Sequence, residues 1–354
     1  MLLSLLLGCR PAGPRAASAE EVGVVEQNDA IQGRDGGGSG YAWGRHAWVY
    51  GDTVLNDLDE NGINWHGNSF SITDDTDASD GVGSFAEPGD SVGQPLEFVA
   101  PTDDELAFNL AHWGSEDCQV EPCGARWAVW PSEPFWDETR QQALVTYGLV
   151  YAEPGDFNFE GVGGSIAVWR DPKGRPERPV LDPDAAHPDL LWDADAPSWG
   201  ATSRVEGDLF YTFGCDQHGT DRKCLLARVP VEELHDLGAW EYRARNDWSS
   251  DLHDAVSLFA GASIMSLSWN DWLDAYLLVY ADGGKVKART APELWGEWSQ
   301  ENVLYETGDD PYDVNHHAEL EEDDGRVQYV TYSRTSGEGW FGTEFPIVRI
   351  VFAP

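Results

Sequence analysis

A run of β-branched and aromatic residues recurs five times along this chain. It reads Trp48-Val49-Tyr50-Gly51-Asp52, Leu144-Val145-Thr146-Tyr147-Gly148, Leu209-Phe210-Tyr211-Thr212-Phe213-Gly214, Leu277-Leu278-Val279-Tyr280-Ala281 and Gln328-Tyr329-Val330-Thr331-Tyr332-Ser333. A second run follows most of them: Ser69–Ile72, Ser165–Trp169, Leu225–Val229, Val286–Arg289 and Ile347–Val351. Helical periodicity is confined to short pieces such as Val231–Leu237 and Pro292–Trp295, and Gly, Asp and Asn bound the runs. Five similar strand pairs at spacings of tens of residues predict an all-β chain folded as a five-bladed β-propeller over residues 29–354. A β-sandwich is the alternative, and the fivefold recurrence argues against it. The segment around Asp35 is expected to supply the first strand of blade 1, with Val348–Phe352 closing the ring beside it.

The 63 acidic residues outnumber the 22 basic ones, for a formal net charge of -41. Such a surface repels phosphate backbones and anionic lipid heads, which excludes nucleic acid as a partner and leaves neutral glycans or divalent cations. Solubility alone is a sufficient cause of the acidity, so charge does not select a function. Seventeen tryptophans exceed what packing demands. Flat indole faces stack on sugar rings, so some are expected to line a site.

The start, Met1-Leu2-Leu3-Ser4-Leu5-Leu6-Leu7-Gly8-Cys9, is too short to span a bilayer. Leu6-Leu7-Gly8-Cys9 resembles a lipobox, in which the cysteine thiol is acylated and the chain is cleaved before it. The basic residues that usually precede such a stretch are absent. Residues 1–9 are read as a lipoprotein signal segment and 10–28 as a flexible tether, so that a lipid on Cys9 is the one contact with a membrane. The remaining cysteines form two close pairs, Cys118 with Cys123 and Cys215 with Cys224, each within one polar loop. Disulfides in an oxidising compartment are the favoured reading, and zinc is the rival.

Several segments resemble a five-bladed propeller family known as domain of unknown function 4185. Gly33-Arg34-Asp35-Gly36-Gly37-Gly38-Ser39 and Trp48–Thr53 look like its first blade, continued by Asn68-Ser69 and Asp75-Thr76-Asp77. Leu226–Pro230 with Ala239-Trp240-Glu241-Tyr242 looks like its third. Ser268-Trp269-Asn270, Tyr276–Tyr280, Ala288–Pro292 and Trp295–Ser299 look like its fourth, and Asn315-His316-His317 with Val330–Ser333 like its fifth. The likeness runs from about Gln32 to the C-terminus. Some members are endo-D-arabinanases, and the wider five-bladed group includes arabinanases, xylosidases and invertase-like enzymes. The resemblance implies a fold more strongly than a reaction.

Glycoside hydrolysis needs two carboxyl groups flanking the scissile bond. Asp35 lies in a glycine-rich segment and Asp52 ends the first apolar strand; by resemblance these are the expected catalytic pair, against the reading that both are turn residues. Pro197–Thr202 carries no glutamate where the arabinanases place an acid, and Glu160 and Glu319 are the possible substitutes. Trp43, Arg45, His46, Trp65, Asn68, Trp199, Trp269, His316 and His317 are the candidate sugar-binding residues, each with core packing or a satisfied loop contact as its alternative. Asp57, Asp59 and Asn61, followed by Gly62, match the first half of a calcium loop, but position twelve is Asn68 rather than glutamate. A hairpin tip built on Asn61-Gly62 is favoured over Ca2+, and no cofactor is required. There is no Gly-x-Ser-x-Gly elbow. The sequence therefore points to an exported, monomeric surface glycoside hydrolase acting on a neutral polysaccharide, an arabinan-type furanoside being the model case. The alternative is a non-catalytic carbohydrate-binding or scaffold propeller.

Overall fold

The computed structural model describes residues 12–114, 118–155, 157–215, 222–308, 312–337, 339 and 341–354. The expected lipid-anchor residue Cys9 lies outside them. Five antiparallel sheets form five blades, here numbered in chain order. Blade 1 has inner strand Ile31–Ala42, then Arg45–Leu55 and Ser69–Thr73, with Trp65–His66 alongside. Blade 2 runs through Arg126–Pro131, Gln142–Ala152, Phe159–Trp169 and Trp192–Asp193. Blade 3 runs through Trp199–Glu206, Leu209–Cys215, Lys223–Pro230 and Glu241–Arg243. Blade 4 contains Met265–Asn270, Ala275–Ala281, Lys285–Ala291 and Asn302–Glu306. Blade 5 contains Tyr312–His316, Val327–Thr335, Pro346–Phe352 and, outermost, Ala16–Val24.

The apolar residues pack between neighbouring sheets. One cluster joins blades 1 and 2 through Val49, Phe70, Phe98, Val145 and Trp169. Others join blades 2 to 3, 3 to 4 and 4 to 5. The fifth joins blade 5 back to blade 1, with Trp48 and Tyr50 against Tyr329, Phe345 and Ile347. Five interfaces for five sheets make a closed ring. Each middle strand is buried on both faces, which is why those strands are nearly continuous in β-branched and aromatic residues.

Closure corrects two expectations. Residues 16–24, read as part of a flexible tether, form a strand antiparallel to Pro346–Phe352. The C-terminal strand therefore lies inside blade 5, between Val327–Thr335 and Ala16–Val24, and not beside the strand of Asp35. Alanine and glutamate are poor strand formers, so propensity hides this strand. Tertiary contacts supply what propensity lacks. Ala16 and Ala19 pack on the blade 4–5 core. The Glu21 carboxylate accepts from Tyr332 Oη at 2.6 Å and from Arg334.

Both expected disulfides are present, Cys118–Cys123 and Cys215–Cys224. Two such bridges suggest an extracellular or periplasmic protein. Among the described residues no helix is long and apolar enough to cross a membrane.

Glu21→Ala should cost about 1 kcal/mol of unfolding free energy, because the bonds it removes are partly exposed. Deleting residues 12–24 should cost more, since it also unpairs Pro346–Phe352. Urea unfolding of the two variants checks this order; equal stability of the deletion and the full chain would contradict closure by this strand.

A candidate active site in the axial well

The inner strand of blade 1 comes so close to its neighbours that side chains have no room. A Cβ on Gly33 would fall 1.7 Å from the Phe341 carbonyl oxygen, and one on Gly40 would fall 2.2 Å from that of Pro134. Register shifts between Arg34 and Gly36, and between Gly36 and Gly38, bulge this strand against its partner. Bulges re-aim side chains, and this one carries Asp35. A Cβ on Gly51, in the facing strand, would lie 2.4 Å from Asp35 Oδ1, so glycine there makes space for the carboxyl group.

The two expected acids meet. Asp35 is held well above the ordinary carboxyl range by desolvation and then by the charges of Asp52 and Asp313, although the Asp52 backbone N–H donates to it. Asp52 is pushed up to about 6 by desolvation. Two neighbours favour its ionised form: Trp130 Nε1 donates to Asp52 Oδ1 at 2.9 Å, and the Arg126 guanidinium adds positive charge. Arg126 itself lies over the Trp65 ring at 4.1 Å. Asp313 accepts from the Gly36 backbone N–H at 3.0 Å and is raised to about 7, chiefly by desolvation.

Further along the axis lies a second pair of acids. Glu133 Oε2 and Asn315 Oδ1 would lie 3.4 Å and 3.3 Å from a Cβ on Gly38, so both close on that glycine. Glu133 is pushed up to about 7 by desolvation and by the charge of Glu319. Glu319 is likewise raised by desolvation, although the Ser39 hydroxyl donates to it. Ser39 Oγ is also 2.5 Å from His317 Nδ1, and His317 Nε2 is 2.8 Å from Thr331 Oγ1. The four side chains form one chain of hydrogen bonds leading to Glu319. Glu319 therefore lies in the well, whereas the other suggested acid, Glu160, is exposed on the third strand of blade 2.

The remaining candidates divide by position. Trp65 is near Asp52 through Arg126. Trp43, Arg45 and His46 are not: they lie at the hairpin end of blade 1, on the order of 20 Å along the strands from Asp35 and Asp52. There Trp43 packs edge-on against Trp169 at 4.6 Å, Arg45 faces Asp74 at 3.8 Å, and His46 packs against Tyr41. Trp269 occupies the corresponding end of blade 4, where Nε1 donates to Asp271 at 2.9 Å. Asn68 is fully buried and ties the Val99 and Val129 carbonyls together, each at 3.0 Å. Trp199 stacks on Tyr242 at 5.8 Å within blade 3. His316 and His317 are buried, and desolvation keeps both neutral, His316 at about 4. His316 pairs with Gln328, and His317 stacks on Trp48 at 4.3 Å. In the loop weighed between a hairpin tip and a calcium site, Asp57 is exposed, and Asp59 accepts from the backbone N–H groups of Asn61 and Ile63, each at 2.9 Å.

Sequence reasoning missed Asp313, Glu133, Trp130 and Arg126. Asp313 had a signal, because it stands two residues before the Asn315-His316-His317 segment already singled out. It also adopts φ 50°, an uncommon left-handed conformation for a non-glycine residue.

Residues 169–332 match the model of the family described as domain of unknown function DUF4185. The match covers parts of blades 2 to 5 and agrees with the resemblance read from the sequence. The fold is similar to that of a Bacteroides ovatus protein described provisionally as a hydrolase, with 15% identity, a TM-score of 0.58, and coverage of 91% of this chain and 87% of that one. A weaker likeness links it to the catalytic domain of a Coprinopsis cinerea GH62 α-L-arabinofuranosidase, at 12% identity, TM-score 0.45, and coverage of 97% and 98%. A Xanthomonas citri GH43_1 enzyme, complexed with xylotriose, gives 12%, 0.47, and 94% and 89%. No curated protein sequence matches the chain.

The raised acids make stability fall with pH. A carboxyl whose folded pKa lies above its unfolded value binds more protons when folded, so stability is greatest below the unfolded pKa, near 4, and declines as pH rises through the folded value. For Glu133 that window runs from 4.5 to about 7. Glu133→Gln should therefore gain stability relative to the parent, on the order of 2 kcal/mol more at pH 8 than at pH 4. Urea unfolding at the two pH values reads the difference; a pH-independent effect would show that Glu133 titrates normally.

Proposed function

We propose that the axial well hydrolyses glycosidic bonds in a neutral polysaccharide, with Asp35 and Asp52 as the reacting carboxyl groups. The observation that carries this reading is their unequal environment. Asp52 has an indole N–H and a guanidinium favouring its charge, while Asp35 is surrounded by other acids. Two neighbouring carboxyls pushed apart in this way divide into a base and an acid near neutral pH. Asp35, kept protonated, donates to the leaving oxygen. Asp52, ionised above about pH 6, acts on the anomeric side as nucleophile or as base toward water. Asp313 adds negative charge that helps Asp35 retain its proton. Low dielectric around the pair strengthens each of these effects.

Within this reading, charge narrows the substrate class. At a net of -41, and with five acids along the well, an anionic glycan is repelled, so the substrate is a neutral one such as an arabinan-type furanoside. The lipobox at Leu6–Cys9 and the two disulfides support export and anchoring at a cell surface through Cys9. Labelling with a radioactive fatty acid that is lost in Cys9→Ala tests the anchor.

Reducing-sugar release from a panel of neutral glycans tests the reaction. Asp35→Asn and Asp52→Asn should each lower kcat at least 1,000-fold, about the scale of losing an essential acid or base, with the fold retained by circular dichroism. Parental turnover in both variants would remove the mechanism. Activity should follow a bell-shaped pH profile whose acidic limb lies near pH 6. Trp130→Phe removes a hydrogen bond to ionised Asp52 and should move that limb upward. An unmoved limb would mean that Asp52 is not the group seen at acidic pH.

A further inference from the structure

Blade 2 carries an aromatic path that begins at Asp52 and leaves the well. Trp130 is fixed at its inner end, with Nε1 bonded to Asp52 Oδ1 at 2.9 Å. Phe159 packs edge-on against the Trp130 ring at 5.0 Å and remains 48% exposed. Phe157, two residues earlier, is 89% exposed. Its backbone is left-handed, φ 55°, a conformation that bulky residues adopt only under strain. Nearby, Glu153 N–H donates to Asn158 O at 2.9 Å, and Asn158 Nδ2 donates to Pro154 O at 3.2 Å. A strained backbone that displays a phenylalanine to water is costly unless the ring has a partner.

We propose that Trp130, Phe159 and Phe157 form a binding rail for the part of a neutral glycan chain that extends beyond the cleaved bond. This rests on the glycoside hydrolase reading and adds a direction to it. The rings offer apolar faces to the C–H faces of successive sugars, and the rail adds no positive charge that would draw a charged polymer. Its hydrogen bond to Asp52 ties the register of the bound chain to the reacting group. The occupant is therefore an oligosaccharide several residues long, held on the Asp52 side of the scissile bond. An enzyme built this way favours long chains over single glycosides.

The probes are linear arabino- and xylohexaose, compared with the corresponding aryl monoglycosides. In the double variant Phe157→Ala/Phe159→Ala, KM for the responsive hexaose should rise about tenfold to a hundredfold, the scale of losing two stacking rings, with kcat within twofold. The ratio of hexaose to monoglycoside kcat/KM should fall by the same factor. The milder variant Phe157→Tyr/Phe159→Tyr, which keeps the rings, should restore the KM. An unchanged ratio, or equal loss on both probe lengths, would overturn the rail. Fluorescence titration of the intact protein with the same hexaoses separates this from failure of the enzymatic reading. Binding without turnover, weakened in the alanine double variant, would remove the hydrolase and keep the rail. Hexaose turnover that is indifferent to the double variant would keep the hydrolase and remove the rail. Neither binding nor turnover of any probe would overturn both.

Discussion

Everything at the candidate site depends on how closely the inner strand of blade 1 approaches the axis. Glycines at 33 and 40 sit where a single added carbon would strike a neighbouring backbone, and Gly38 leaves little space beside Asn315 and Glu133. That approach brings a bulged strand, with Asp35 on it, against Asp52 of the next strand and Asp313 of blade 5. Carboxyl groups crowded into a desolvated well cannot all ionise at neutral pH. Some must keep their protons, and the local donors decide which do. Trp130 and Arg126 stand beside Asp52, so the charge is best tolerated there.

The same crowding explains how the ring and the well support each other. Three buried polar side chains beneath the well have partners. Ser39, His317 and Thr331 form a continuous set of hydrogen bonds, and the His317 ring lies on Trp48 in the blade 5–1 interface. Satisfied polar networks of this kind fix a single arrangement of side chains. At the outside, the strand Ala16–Val24 completes blade 5, whose inner strand contributes Asp313 and Asn315. The N-terminal strand thus belongs to the same sheet as those residues, three strands away from them.

The second strands of all five blades were the most legible in the sequence, because both their faces are largely buried and their residues largely apolar, whereas third strands such as Lys285–Ala291 alternate. The inner strands were much less legible. They line the axis, so glycine and polar residues replace the apolar pattern, as in Gly33–Gly40 and Asp313-Val314-Asn315. Asp35 and Asp52 were paired through the family resemblance, and a hairpin joins their strands. Glu133 and Asp313 reach the well from blades 2 and 5, and only ring closure places them there. The misplaced candidates have a related cause. Trp43, Arg45, His46 and Trp269 flank inner strands in sequence, but they lie at the hairpin ends of those strands. His316 and His317 face the interior of blade 5 and its neighbours, where burial keeps them neutral.

The central claim is that Asp35 and Asp52 share one desolvated space and titrate as neighbours. Carbon-13 NMR of protein labelled at the aspartate carboxyl carbon reads this without any substrate, with Asp35 assigned through Asp35→Asn. Asp35 should titrate well above the ordinary aspartate range, and its midpoint should fall when Asp52→Asn removes the neighbouring charge. A midpoint for Asp35 near 4, unmoved by Asp52→Asn, would contradict the account.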